Sequence, residues 1–285
     1  MTEVAFAVAE RLARAGSPSP GPEARQLVAH VLGVEPSALL RIDGVTAAQR
    51  ARIDELADRR AEGVPLQHLT GVAYFRYETL AVGTGVFIPR PETEEMVGWA
   101  LTRLAERPVG SRRVVELCAG SGAITAAIGR ELGGVELHAV EVSADALGYL
   151  TRNLEGLAVD VVHGDMADAF RHLDGEVDLV IANPPYVPET HRGLLPTDVV
   201  EHDPELALFS GPDGLDALRV VAGVAARLLR PGGVLATEHD ESHADAVVEL
   251  VAAAGFAAVT SRRDLTGRPR FVTGERLPGH GRIAP

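Results

Sequence analysis

The stretch Asn183-Pro184-Pro185-Tyr186 ends a run of aliphatic residues, Leu179 to Ala182, that reads as a buried strand. Two successive prolines donate nothing to a sheet ladder, so the strand stops there and the chain stiffens on both sides. The product is a rigid shelf at a strand's C-terminal edge, carrying one amide side chain and one aromatic ring. The side-chain oxygen of Asn183 and the carbonyl of Pro184 are two neighbouring acceptors. They can take both hydrogens of a planar –NH2 group while Tyr186 stacks beneath its plane. A plain strand terminator is the bland alternative, and the Asn and Tyr that flank the double proline argue against it.

Three further positions suit a ligand. In VVELCAGSGAITAA, a strand carrying Glu116 leads into Cys118 and Ala119, Gly120 and Gly122 bracket Ser121, and a helix follows. Glycines let backbone approach a ligand, and a helix start offers free N–H groups. The spacing is not G-x-G-x-x-G, because Ala123, Ile124 and Thr125 follow Gly122, so a dinucleotide pyrophosphate site is not indicated. A tight strand–helix turn without a ligand is the alternative. Glu141, at the end of the next strand, can accept both hydrogens of a ribose diol, or simply precede the helix that starts near Ser143. Asp165 ends a third strand where an adenine amino group would be met, or caps a helix. Glu238, His239 and His243 lie close in sequence, but the strand–helix break between them does not give metal-ligand spacing, so no metal is expected. Cys118 has no candidate base beside it and reads as a small buried residue and not a nucleophile.

The elements that must carry these residues fall into two patterns. Residues 1–70 read as helices only, a small N-terminal bundle, with Thr46 as an N-cap and Gly63 after the third helix. Residues 71–90 read as a β-hairpin linker turning near Tyr77 and Glu78. Residues 91–276 open on an acidic helix start and then alternate strand and helix. That alternation predicts an α/β fold: a doubly wound, mostly parallel sheet whose last two strands add an antiparallel edge hairpin. One helix is expected to place Ala144, Leu147, Leu150 and Leu154 on one face, and Arg230-Pro231-Gly232-Gly233 to end another. Residues 277–285 read as a frayed tail.

Bulk properties narrow the class. Hydrophobic residues make up 46% and charged residues 24% of the 285, an ordinary globular balance. With a net charge of −13, bulk electrostatics do not attract nucleic acid, although a local basic patch could. One cysteine excludes an intramolecular disulfide and fits a reducing, cytoplasmic setting. The start of the chain, with Glu3 and no long apolar run, predicts no secretory signal, and no stretch is apolar enough to span a membrane.

Taken together, the glycine loop, the acid at the second strand and Asn-Pro-Pro-Tyr after the fourth resemble the class I S-adenosylmethionine-dependent methyltransferases that act on a planar nitrogen. The segments PLQHLTGVAYF, VFIPRPETEEMV, NPPYVPE, EHDPELALFSGPDGLDALR and RPGGVLATEH, in this order, resemble the peptide chain release factor glutamine methyltransferases (the HemK/PrmC family) from about residue 10 to 275. Three departures are a Glu at 116 and a Glu at 141 where Asp is common, and Cys118-Ala119 where the family usually has Gly-Thr. The resemblance implies a seven-stranded, Rossmann-like methyltransferase sheet. It implies S-adenosylmethionine held by Cys118, Ala119, Gly120, Ser121 and Gly122, by Glu141 and Val142, by Asp165 and Met166, and by Asn183. Phe87 and the turn of Pro89 and Arg90 would close the site. Asn183, Pro184, Pro185 and Tyr186 would hold the glutamine of a Gly-Gly-Gln loop in a release factor, with Asn183, Pro184 and Tyr186 the catalytic set. The helical domain would grip that protein substrate. Two related activities stay open: a ribosomal-protein glutamine, or the N6 amine of adenine in nucleic acid. Adenine would ask for a basic groove, and the loop after Tyr186 is on balance acidic. A silent cofactor-binding scaffold is the remaining alternative.

Overall fold

A computed structural model describes residues 2–195 and 197–277, so most of the expected tail lies outside the described residues. The chain divides into two compact units, one of residues 1–72, 82–84 and 196–202, the other of residues 73–81, 85–195 and 203–285.

The first unit is helical. It comprises α1 (Thr2–Arg14), α2 (Pro20–Leu32), a 3-10 turn (Pro36–Arg41), α3 (Ala47–Ala61) and α4 (Leu66–Thr70). Their apolar faces meet in a core that includes Leu12, Leu27, Val28, Ile53 and Leu56. Thr46 does cap α3: its hydroxyl accepts from the Gln49 amide at 3.2 Å, and Gln49 Oε1 accepts from the Thr46 amide at 2.9 Å. That reciprocal pair satisfies two otherwise orphaned donors. A paired Arg60 and Glu23, 2.9 Å apart, tie α3 to α2.

In the second unit, strands β1 (Val72–Phe75) and β2 (Glu78–Ala81) form the hairpin, turning at Arg76 and Tyr77. Next come α5 (Thr93–Ala105), β3 (Arg113–Leu117), α6 (Ala123–Glu131), β4 (Glu136–Glu141), α7 (Ala144–Asn153), β5 (Val159–His163) and β6 (Val177–Ala182). The short helices α8 (Thr197–His202, which belongs to the first unit) and α9 (Glu205–Leu208) follow. Then come α10 (Asp216–Leu228), β7 (Leu229–Glu238), α11 (Ala244–Ala253), β8 (Phe256–Arg263) and β9 (Pro269–Arg276). The sheet has seven strands in the order β5-β4-β3-β6-β7-β9-β8, parallel from β5 to β7 and antiparallel beyond. Helices α5, α6 and α7 pack on one face through Met96, Ile124 and Leu150, and α10 and α11 on the other through Val221 and Val251.

Two local readings change. Arg230 to Gly233 do not end a helix: α10 stops at Leu228, and these residues lie inside β7 at a register shift against β6. Gly233 is what permits the crowding, since a Cβ there would stand 2.8 Å from the Val177 carbonyl. Ala144 is exposed; the inner face of α7 is Ala146, Leu150 and Asn153, followed by Leu154. The antiparallel edge hairpin is present as expected, with β9 pairing with β7 and β8 outermost.

Candidate active site

The chain leaves β3 toward β4 and β5 on one side and then returns to β6 and β7 on the other. The C-terminal ends of β3 and β6 are therefore a topological switch point, where ligands of open α/β sheets bind. Leu117 pairs with Ala182, so the glycine loop and Asn183 leave the sheet side by side.

Side-chain parity sorts the site. Residues alternate between faces along a strand. In β3, Val114 joins the core beneath α5–α7 while Val115 and Leu117 join the opposite one, so Glu116 points to the first face. The same count puts Glu141, Asn183 and Glu238 on that face. Continuing the pairing of Ala182 with Thr237 sets Asn183 beside Glu238. An amide and three acids thus gather at one end of one face, although they are scattered over more than a hundred positions of sequence.

Around the glycine loop the geometry is closed by carboxylates. Gly120 and Gly122 have φ of +54° and +80°, which glycine alone adopts readily. A Cβ on Gly120 would meet nothing within 4 Å, so its outer side is open. Glu141 is buried, and its two oxygens accept from the Gly120 amide at 2.7 Å and the Ser143 amide at 2.8 Å. Each oxygen keeps a further lone pair. Glu116 accepts from the Thr125 amide at 2.8 Å and from the Thr125 hydroxyl; burial pushes its carboxyl up to about 8. Cys118 Sγ lies 3.5 Å from Met166 Sδ, joining the loop to the end of β5. Burial, with the nearby charges of Glu141, Glu116 and Asp165, raises the Cys118 thiol and keeps it protonated. Asp165 is exposed and caps its own turn through the Ala167 amide at 2.9 Å; Val142 is half exposed at the end of β4.

Asn153 is a residue that sequence reasoning missed. It accepts from the Ala81 amide at 2.7 Å and donates to the carbonyls of Ala81 and Ser121, each at 2.9 Å, tying the glycine loop to β2. Its only signal was a polar residue at a position of α7 where an apolar one would complete the stripe.

At the shelf, Pro184 is buried while Asn183 and Tyr186 are partly exposed. Asn183 Nδ2 donates to Thr93 Oγ1 at 3.2 Å, Thr93 Oγ1 donates to Glu238 Oε2 at 2.6 Å, and the Tyr186 hydroxyl donates to Glu238 Oε1 at 3.2 Å. Thr93 and Glu238 are buried and complete a network that no single motif disclosed. Burial raises the Tyr186 phenol, helped by the Glu238 charge, so it remains a donor. Behind the shelf, the Val187 amide donates to Leu208 at 2.8 Å and the Ser210 amide to Val187 at 3.0 Å. Phe87 and Arg90 form a pair of their own: the guanidinium sits 5.0 Å from the ring centroid and donates to Asp203 at 2.7 Å. Pro89 is partly exposed in the same turn, and Thr93, three residues after Arg90, is the part of this segment that reaches Asn183.

His239 is buried and donates through Nδ1 to the Asp240 carbonyl at 2.7 Å, while His243 ends a 3-10 turn before α11 instead of lying within a helix. Among the described residues no group of three or more His, Cys, Asp and Glu could hold a metal ion, and no helix is long and apolar enough to cross a membrane.

Two substitutions probe this geometry. Gly214 has φ +75°, and a Cβ there would lie 2.5 Å from the Tyr186 carbonyl and 2.9 Å from His243 Cε1. Gly214→Ala is expected to destabilise by roughly 1–3 kcal/mol and to lower turnover by moving Tyr186, read by thermal unfolding beside a rate assay. Glu141→Ala removes the acceptor that braces Gly120 and faces the loop. It is expected to weaken cofactor binding by about 1–3 kcal/mol, measured by calorimetry, and unchanged affinity in a folded variant would remove Glu141 from the site.

The seven-stranded order and the shelf at its switch point define a methyltransferase of the Rossmann-like kind, and comparison with known proteins agrees. A family model described as the PrmC N-terminal domain matches residues 7–71, and one described as the methyltransferase small domain matches residues 99–202. The release factor glutamine methyltransferase of Streptomyces coelicolor is 47% identical over 277 residues, 97% of this chain and 98% of that protein. Its counterpart from Mycolicibacterium smegmatis is 44% identical over 269 residues, 93% of this chain and 94% of that one. The hMettl16 catalytic domain, solved with an RNA hairpin, superposes with a TM-score of 0.57 at 16% identity over 81% of this chain and 84% of its own, which bears on the fold alone. The chain belongs to the release factor glutamine methyltransferase family.

Proposed function

We propose that this protein transfers a methyl group from S-adenosylmethionine to the side-chain amide nitrogen of the glutamine in the Gly-Gly-Gln motif of class I peptide chain release factors. The observation that carries the reading is the orientation of Asn183. Its NH2 end is engaged by Thr93, so its oxygen is the end left to face a substrate. Beside it, the Pro184 carbonyl is a second acceptor on a backbone stiffened by two prolines. Such a pair suits a primary amide, which has two N–H groups in one plane.

The pocket suits the cofactor. The open side of Gly120, the buried Glu141 and the Cys118–Met166 pair lie at the switch point. The carboxylates of Glu141 and Asp165, two of the groups that raise the Cys118 thiol, give this corner a negative potential, which favours a cationic sulfonium over a pyrophosphate. Bound there, S-adenosylmethionine supplies an electrophilic methyl group and its leaving group. The chain's own residues do the remainder. An amide nitrogen is a poor nucleophile because its lone pair is delocalised into the carbonyl. Asn183 and Pro184 accept its hydrogens, favour localisation of the lone pair and aim it, while Tyr186 holds the plane. This is orientation and electrostatic preorganisation with no general base in the first step; the alkylated amide is strongly acidic and loses its proton to water after the transfer. The helical unit is the proposed grip on the folded release factor.

Transfer from labelled S-adenosylmethionine tests the proposal, with a folded release factor, a mixture of ribosomal proteins and duplex DNA as rival acceptors. The release factor should be the preferred acceptor and DNA should take no label; equal labelling of DNA would contradict the reading.

A further inference from the structure

Glu238 is a buried carboxylate at the end of β7 that the mechanism above does not use, and it receives bonds from the hydroxyls of Thr93 and Tyr186. We propose that Glu238 is a positioning residue that acts through Thr93 to fix which end of the Asn183 amide faces the substrate. This deepens the glutamine-methylation reading and rests on it.

One hydrogen sets the direction of these bonds. The Thr93 hydroxyl has a single proton, and at 2.6 Å from Glu238 Oε2 that proton belongs in a charge-assisted bond. The Thr93 oxygen is then an acceptor toward Asn183, and the partner at 3.2 Å is Nδ2. The relay therefore has one direction, from the Asn183 NH2 to the Thr93 hydroxyl to the Glu238 carboxylate. Without it, the amide can turn over by half a rotation. A turned amide points N–H at the N–H of a glutamine, and the acceptor is lost. The second Glu238 oxygen takes the Tyr186 hydroxyl at 3.2 Å, so one carboxylate braces both the acceptor and the stacking ring.

The relay works only while Glu238 is ionised. Burial pushes its carboxyl up to about 7, opposed by the bond from Thr93, the charge of Arg270 and the bond from Tyr186, and reinforced by Glu92. These groups face it from α5, from β9 and from the segment after β6; Arg270 is itself held by Asp264 at 3.3 Å. A protonated Glu238 donates to the Thr93 oxygen, which sends the hydroxyl proton toward Asn183 and favours the turned amide. Since the charged form is the working one, turnover falls as pH drops through the neutral range.

The test uses the full chain with S-adenosylmethionine and a folded release factor. Glu238→Gln and Thr93→Val should each lower kcat about 30-fold, with KM for cofactor and protein nearly unchanged, and Glu238→Gln should also abolish the acid limb of the pH profile. Thr93→Ser, which restores the hydroxyl, should recover at least about ten-fold of that loss. Thr93→Val placed on Asn183→Ala should cost almost nothing more, because the relay then has no amide to turn. The proposal is overturned if Thr93→Val keeps normal kcat, if it costs as much without Asn183 as with it, or if the acid limb survives in Glu238→Gln. Should Glu238→Gln fail to fold, the Thr93–Asn183 cycle decides alone. A wild-type protein that leaves the release factor unmethylated would fell the glutamine reading and this one together, whereas normal variants beside an active wild type count against Glu238 only.

Discussion

Asn183→Ala is expected to lower turnover by at least about 100-fold, the scale of one deleted preorganised polar contact at a reacting centre. The substitution removes the side-chain acceptor proposed to receive a substrate N–H and spares the shelf, because Pro184 and Pro185 still set the backbone. Glu141 and the glycine loop are untouched, so cofactor affinity should change little. The loss belongs in kcat: the amide still enters the site but is no longer aimed. A folded Asn183→Ala protein with near-normal turnover would remove Asn183 from the catalytic set.

Tyr186 divides into two experiments. Tyr186→Ala deletes the ring proposed to lie beneath the substrate plane, which would leave the amide free to tilt. Misplacement on that scale costs about 100-fold in rate. Tyr186→Phe keeps the ring and removes only the bond to Glu238 Oε1, so a loss of roughly ten-fold or less is expected, on the scale of one hydrogen bond of about 1 kcal/mol. Single-turnover rates at saturating cofactor separate the two. Equal losses in both variants would assign the role to the hydroxyl and not to stacking.

Much of this arrangement was legible because it lies at strand ends. Aliphatic runs that stop in Glu116, Glu141 and Asn183 mark where a parallel sheet delivers side chains to its C-terminal edge, and the doubly wound order follows from the alternation. Glycine spacing pointed away from a pyrophosphate, and carboxylates around Cys118 agree with that. What stayed hidden depends on distances between segments. Glu238 becomes Asn183's neighbour only through the β6–β7 register, across a shift at Arg230 to Gly233 that reads in sequence as a helix-ending turn. Thr93 joins them only once α5 docks on the sheet. Asn153 reaches back to Ala81, 72 positions away, and no local pattern marks such a bond. The order of β8 and β9 escaped for a related reason: a hairpin's sequence does not say which of its strands pairs with the sheet.

Central to the account is one bond, from a methyl carbon to the side-chain nitrogen of a single glutamine. Tandem mass spectrometry of a release-factor digest, after incubation with the protein and S-adenosylmethionine, reads that bond directly. One added methyl group is expected, on the glutamine of the Gly-Gly-Gln peptide, present with wild type and nearly absent with Asn183→Ala. A methyl group on any other residue, or an unmodified Gly-Gly-Gln peptide beside an active enzyme, would contradict it.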